Sequence, residues 1–386
     1  MKKIIPYSTQ YLNNDDIKSV KKILLSKNLT KGKKTIEFEN KIKNTVGSKY
    51  SCAIINASSA LILSCRAIGL KKNDILWTTS ITYIATVNAG LHCGAKIDLV
   101  DINLNDYNIC VDKLEKKLIY SKKNNCLPKV LIVVHLAGYP ADLKKINRLS
   151  KKYNFKIIED ASHAFGAVYN NSKIGDCKYS DITVFSFHPV KIITSAEGGA
   201  ITTNNKTLYN KIIQLRENGI QRNNPKKIYD DPNFYDVVDL GYNFRINEIN
   251  SSLGISQIKK MKKFKYKKNK IVEYYFSSLN HPKIYLPKYL KNRVSSWHLF
   301  IIRFKESLIK KTSKSKIIKF LRKKGIYVNT HYIPLQYFKL IKKHLKFSQL
   351  PNAENYYKSS ISIPLYPHLS KKEQKLVVQS IKKIID

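Results

Sequence analysis

The chain has 386 residues, 43% of them hydrophobic, which is enough for one large and one smaller domain with a real core and too apolar for a disordered chain. A net charge of +43 would suit a nucleic-acid or anionic-surface binder, but the lysines are scattered in pairs and read as surface filler, so no specific nucleic-acid partner is expected. None of the six cysteines forms a C-x-x-C pair, no apolar run follows Met1-Lys2-Lys3, and no stretch reaches membrane-span length, so the reading is a cytoplasmic protein with no metal site and no membrane partner.

In chain order, Asn14 caps a first amphipathic helix with apolar positions Ile17, Val20, Leu24 and Leu25. Leu29-Thr30-Lys31-Gly32 breaks the pattern, and a second helix carries Ile36, Phe38, Ile42 and Val46 up to Gly47. From Tyr50, short apolar strands alternate with helices. Strands are expected at Cys52 to Ile55, Asp74 to Trp77, Lys96 to Val100, Val130 to Val134, Phe155 to Glu159 and Ile182 to Phe185. Helices are expected at Ser58 to Ile68, Thr82 to Ala89, Val111 to Tyr120 and Ala141 to Lys152. This alternation predicts an α/β fold with a mainly parallel sheet covered by helices on both faces. Residues 221 to 236 read as a polar surface loop.

From residue 255 the texture shifts. A long basic helix (Ile255 to Leu279) carries a dense lysine run between Lys259 and Lys270, read as its solvated face. A strand (His298 to Phe304), a helix (Ser313 to Lys324), a strand (Ile326 to Asn329) and a last helix (Lys371 to Ile385) complete a smaller α/β domain. The domains are therefore placed at residues 1–254 and 255–386.

Ligands on parallel sheets sit at the carboxyl ends of the strands. The chemistry-bearing residues fall there. Phe185-Ser186-Phe187-His188-Pro189-Val190-Lys191 leads from a strand through a proline turn to one lysine, followed by Ala196-Glu197-Gly198-Gly199. An earlier strand ends in Glu159-Asp160. A lysine that can form a Schiff base and a carboxylate that can meet a pyridinium nitrogen suggest pyridoxal phosphate. Burial of Lys191 would favour the neutral amine, whereas most lysines in such a chain are solvated. The alternative for Asp160, set behind the ring-nitrogen reading because Lys191 lies downstream, is to cap a helix starting at Ala161. His163 could approach the ring or serve as a structural group. Ala57 and Ser58 open a helix after a strand and suit a phosphate; Ser186 adds a second hydroxyl. Tyr83 could stack on the cofactor or belong to the core. Gly241-Tyr242-Asn243-Phe244-Arg245 could present an amide and a guanidinium to an anion, or simply cap a turn.

Together these residues resemble the DegT/StrS sugar-aminotransferase family of pyridoxal-phosphate enzymes, along nearly the whole chain. The likeness is greatest to the branch that aminates a UDP-linked 4-keto sugar on the way to pseudaminic acid. The resemblance rests on Pro6-Tyr7-Ser8, Lys27 to Gly32, Ser186 to Thr194, Gly241 to Arg245 and His331-Tyr332-Ile333-Pro334. It implies the aspartate-aminotransferase-like fold type I and a homodimer with shared active sites. Lys191 would link the cofactor, Asp160 would pair with the ring nitrogen, and Tyr83 would stack on the ring. Ala57, Ser58 and Ser186 would hold the phosphate, and Asn243 would reach the neighbouring subunit's cofactor. Tyr7, Lys27, Asn28, Leu29, Thr30, His188, Arg245, His331, Tyr332, Ile333 and Pro334 would line the sugar-nucleotide pocket. His163 departs from the family, where many members carry glutamine. A related group of dehydratases has histidine in place of the lysine; Lys191 argues for transamination. The implied reaction moves an amino group from L-glutamate to C4 of a UDP-linked keto sugar. The alternatives are amination at C3 or at C4 of a GDP- or dTDP-linked sugar.

Overall fold

A computed structural model describes residues 4–222, 233–345 and 349–386. Helices α1 (Asn14–Leu24) and α2 (Lys33–Val46) precede a run of alternating elements: β1 (Tyr50–Ile54), α3 (Ala57–Ala67), β2 (Ile75–Thr79), α4 (Ala85–His92), β3 (Lys96–Val100), α5 (Val111–Lys123), β4 (Val130–Val134), α6 (Leu143–Tyr153) and β5 (Lys156–Asp160). A small hairpin of β6 (Val168–Tyr169) and β7 (Ser172–Lys173) leads to β8 (Ile182–Ser186), β9 (Gly199–Thr203) and α7 (Lys206–Arg216). A two-residue ladder joins β10 (Ile220–Gln221) to β11 (Asp236–Val237). The predicted surface loop is thus closed by paired strands, and its residues 223–232 lie outside the described residues.

Seven strands form one sheet in the order β1-β9-β8-β5-β4-β2-β3. The β8-β5-β4-β2-β3 run is parallel, and β9 alone runs against its neighbours. Strand side chains alternate between two cores. Val130, Ile132, Ile158 and Val184 pack on one face, while Leu131, Val133, Ile157 and Phe185 pack on the other. This explains why β4 reads as unbroken apolar sequence.

Helix α8 (Glu248–Ser278) spans 31 residues, roughly 46 Å at 1.5 Å per residue. The boundary expected between residues 254 and 255 falls inside it. Its first part packs along α1 and α2, and Gly254 is needed there because a Cβ would lie 2.5 Å from the Phe38 ring. Its last turns, with Ile271, Val272 and Tyr275, join a third core. That core contains β12 (Ile284–Tyr285), β14 (Phe300–Phe304) and β15 (Ser360–Ile363), one three-stranded antiparallel sheet. Helices α9 (Glu306–Lys311), α10 (Lys314–Lys323) and α13 (Lys371–Ile385) complete this core, β13 (Arg293–Val294) pairs with β6, and α11 (Lys339–Lys342) and α12 (Pro351–Ser359) instead bury Ile341, Ala353 and Tyr356 in the first core.

Several sequence expectations are corrected. The cap of α1 is Asn13, one residue earlier than Asn14; its N–H donates to Asp16 at 3.0 Å. Helix α4 starts at Ala85 rather than Thr82, because Thr82 turns its hydroxyl onto that of Thr86 at 2.8 Å. Residues 326–329 make only isolated bridges, Ile326 to Ile5 and Asn329 to Ser362. The lysine run on α8 is not wholly solvated. Lys260 pairs with the buried Asp16, Lys265 donates to the Gly166 carbonyl, and Lys268 is buried. No helix among the described residues is long and apolar enough to cross a membrane.

Helix α2 begins at Gly32 without a side-chain cap of its own. The buried Glu248, at the start of α8, supplies one by accepting from Lys34 N at 2.7 Å, Thr35 N at 2.9 Å and Thr35 Oγ1 at 2.5 Å. Glu248→Ala should therefore lose about 2 kcal/mol of stability by leaving these donors unmet. A denaturant titration with an unchanged midpoint would remove this role.

Candidate active site

The carboxyl ends of β1, β2, β4, β5 and β8 open onto a cavity of about 520 Å³. Because β9 runs the other way, its start at Gly199 lies on the same edge. The β5–β8 register pairs Asp160 with Val184, so Asp160 and the chain leaving Ser186 emerge side by side.

The loop from Phe187 to Gly198 closes on itself. Phe187 N donates to Gly198 O at 2.8 Å, Ser195 N to Phe187 O at 2.9 Å and Lys191 N to His188 O at 2.9 Å. The two glycines have separate reasons. A Cβ on Gly198 would strike Ser195 Oγ at 2.1 Å, and one on Gly199 would lie 2.6 Å from the Asn56 carbonyl carbon. Gly199 thus lets β9 pass against the junction where α3 starts. There Asn56 caps the helix, accepting from Ser59 N at 2.8 Å, and Ala57 and Ser58 line the cavity.

Lys191 projects into this cavity. Burial lowers its amine to about 8, against the attraction of Asp160. Asp160 is buried and caps nothing, since no helix starts at Ala161. One carboxylate oxygen accepts from Thr86 Oγ1 at 2.9 Å, and the other accepts from Ser162 Oγ at 2.6 Å and Ser162 N at 3.2 Å. Its neighbour Glu159 faces the opposite side of the sheet. There it meets His135 at 2.7 Å and accepts from the hydroxyls of Ser180 and Thr183.

His163 is buried with Tyr332 Oη 3.0 Å from Nε2, while its Nδ1 has no partner. Burial holds the imidazole well below its ordinary range, helped by the nearby Lys191 and Lys268, so it is neutral at pH 7. His331 is lowered to about 3, by burial and then by Lys191, and its Nδ1 lies 2.8 Å from Ser362 Oγ. Tyr7 lies with its ring 5.0 Å from that of His331. Tyr83 is 58% exposed at the mouth, its ring 5.9 Å from Tyr332.

Of the residues singled out from sequence, Tyr7, Ala57, Ser58, Tyr83, Asp160, His163, Ser186, His188, Lys191, His331 and Tyr332 line this one cavity. Lys27, Asn28, Leu29, Thr30, Asn243, Arg245, Ile333 and Pro334 do not. Leu29 O instead accepts from Glu248 N at 2.9 Å, Arg245 donates to Glu217 at 3.0 Å, and Asn243 is exposed on a bridge to Glu217. Sequence reasoning missed Thr86 and Ser162 around Asp160, and Glu197, Asn329 and Thr330 on the cavity wall. Ser162, two residues past Asp160, carried a short-range signal. Thr86 carried none, since it is 74 residues away in sequence.

These groups fit an aldehyde cofactor with a phosphate. The cavity holds one amine of lowered basicity, a buried carboxylate fixed by hydroxyls, and a helix start with free N–H groups beside Ser58 and Ser186. The orphaned His163 Nδ1 adds an unused polar atom.

The chain is 37% identical over 385 residues to the UDP-4-amino-4,6-dideoxy-N-acetyl-beta-L-altrosamine transaminase of Campylobacter jejuni strain 81-176, covering 99% of this chain and 98% of the relative. The Helicobacter pylori protein of the same name is 32% identical, covering 98% and 97%. Among solved structures the fold is similar to Helicobacter pylori PseC, described as an aminotransferase involved in the biosynthesis of pseudoaminic acid, with a TM-score of 0.91, 31% identity and 99% of both chains covered. It is also similar to the PLP form of the putative sugar aminotransferase Spr1654 from Streptococcus pneumoniae, with a TM-score of 0.87, 27% identity and 99% and 98% covered. The α/β fold with its mainly parallel sheet is thus that of the sugar aminotransferases. With the family pattern matching from residue 10 to residue 382, the chain belongs to the DegT/DnrJ/EryC1/StrS aminotransferase family.

Proposed function

We propose that the protein is a pyridoxal-phosphate aminotransferase that moves an amino group from L-glutamate to C4 of a UDP-linked 4-keto-6-deoxy-N-acetylhexose. The observation that carries this reading is Lys191 facing the cavity with Asp160 close enough to act on its charge. The sugar follows from the relatives named above, which share about a third of their residues with the chain over nearly its whole length.

Bound, the cofactor would supply an aldehyde carbon that exchanges amino groups and a ring that withdraws electrons. The chain does the rest. Asp160 holds a proton at the ring nitrogen, and Thr86 and Ser162 keep its carboxylate aimed. Ala57, Ser58 and Ser186 hold the phosphate, and Tyr83 covers the ring. Lys191 Nζ takes a proton from the donor's α-carbon and later returns one at C4 of the sugar, while the donor leaves as 2-oxoglutarate. Neutral His163, tied to Tyr332, orients without adding charge. Tyr7, His188, His331 and Tyr332 form the sugar-nucleotide side.

The residues outside this cavity are assigned to a second copy. Asn243 is exposed and would reach the partner's cofactor, with Arg245, Lys27 to Thr30, Ile333 and Pro334 around the shared entrance. Exposed apolar side chains support a homodimer: Leu25 is 79% exposed, Ile17 62% and Leu240 75%. The protein would work in the cytoplasm.

Lys191→Ala should take up no visible-absorbing cofactor and lose at least about 10²-fold in turnover. Asp160→Asn should keep the cofactor and lose about 10²- to 10³-fold. Full activity in either variant would refute the roles. Uptake of pyridoxal phosphate needs the neutral amine, so its rate in stopped-flow absorbance should rise with pH up to about 8 and then level off. Below that point it should fall about tenfold per pH unit; a flat profile would show that another group takes up the cofactor. In a panel of keto-sugar nucleotides, the UDP-linked 4-keto substrate should give the highest kcat/KM. Preference for a 3-keto, GDP- or dTDP-linked sugar would overturn the substrate assignment.

A further inference from the structure

The segment Ser295–His298 lies between a second cavity and His163. Ser296 Oγ donates to the His163 carbonyl at 2.6 Å, and the His298 ring lies 4.2 Å from the ring of His163, which lines the active cavity. The intervening side chains, Ser295 and Trp297, line a second cavity of about 210 Å³ together with Tyr139, Asn269, Glu273, Tyr289 and Arg293. Trp297 sits at φ +51°, a left-handed conformation costly for a bulky residue, fixed by its N–H donating to Ser295 Oγ at 2.9 Å.

Two polar atoms buried among these residues have no hydrogen-bond partner: Asn269 Oδ1, an acceptor, and Arg293 Nε, a donor. Arg293 is 9% exposed, and its Nη1 is already committed to Asp106 at 2.6 Å and the Pro140 carbonyl at 2.9 Å. Its Nε edge is what is left for a ligand. Tyr289 and Trp297 stand edge to face with centroids 5.8 Å apart, and the Glu273 carboxylate, paired with Lys270 at 3.0 Å, sits at the rim. Aromatic faces, an orphan acceptor and a carboxylate suit an ammonium group. An orphan guanidinium N–H suits a carboxylate. The volume is several waters' worth at ~30 Å³ each, and below the ~300 Å³ at which drug-sized sites begin.

We propose that this second cavity binds a small amino-acid-like zwitterion and that its occupancy is transmitted to His163. The ammonium lies against Asn269, Glu273 and the rings of Tyr289 and Trp297, and the carboxylate lies on Arg293 Nε. Ser296 and His298 carry the effect to the active cavity. The inference goes beyond the transaminase reading and does not depend on it.

N,N-dimethylglycine is the probe: it carries both charges and one N–H, and its tertiary amine cannot condense with an aldehyde. Calorimetry on the full chain should show saturable binding, with a matching change in tryptophan fluorescence. Asn269→Leu should weaken it at least about tenfold. Tyr289→Ala, at a position 62% exposed, should weaken it about fivefold without threatening the fold. In protein labelled at histidine, the ring resonance that disappears in His163→Gln should shift on adding the probe, and should stay put in His298→Leu. Absent binding, or equal affinity in both cavity variants, overturns the site. Trimethylammonium or acetate binding as tightly as the probe overturns the zwitterion. A still His163 resonance in the wild type overturns the coupling.

Discussion

One half-buried amine facing the same cavity as a buried carboxylate is the constraint around which that cavity is built. Burial lowers the Lys191 amine, and the charge of Asp160 pulls the other way; the balance leaves it at about 8. Hydroxyls of Thr86 and Ser162 meet the two oxygens of the buried Asp160, so neither is left without a partner. The parallel register of β5 and β8 brings the two groups to the same edge. The glycines at 198 and 199 then let the lysine loop fold back over the start of α3.

The same scarcity of acid shapes the frame. The chain has 27 acidic residues against 70 basic ones, and it spends two of the acids at buried joints of α8. Asp16 binds Gln257 and Lys260 and so locks α1 to the middle of that helix. Glu248 caps α2 from the helix start. Lys268, lowered to about 7 by burial, forms no ion pair with an acid among the described residues, and its charge helps keep His163 and His298 unprotonated. The positive surface is therefore not uniform filler: on α8 it turns inward where two layers of helix meet.

The histidine pair also joins the two halves of the molecule. His163 follows β5, while His298 leads into β14 in the third core, and their tilted rings meet with centroids 4.2 Å apart. Tyr332 closes the same contact from the other side through its hydroxyl. The backbone around Trp297 is thus joined directly to His163 through Ser296 and His298.

Local pattern determined much of this molecule. Unbroken apolar strands such as Val130–Val134, alternating with amphipathic helices, specified the parallel sheet, and the Ser186–Lys191 and Glu159-Asp160 stretches marked its chemical edge, because strand ends and glycine turns are properties of neighbouring residues. Folding alone decided that Asp160 meets Thr86 rather than capping a helix, that Glu248 caps α2, and that Lys268 is buried. It also decided that Ser295 and Trp297 line one cavity while Ser296 and His298 touch His163, which lines another. Each of these depends on contacts between elements far apart in the chain, or on which side of a strand or helix is covered, and no spacing within a single segment encodes that.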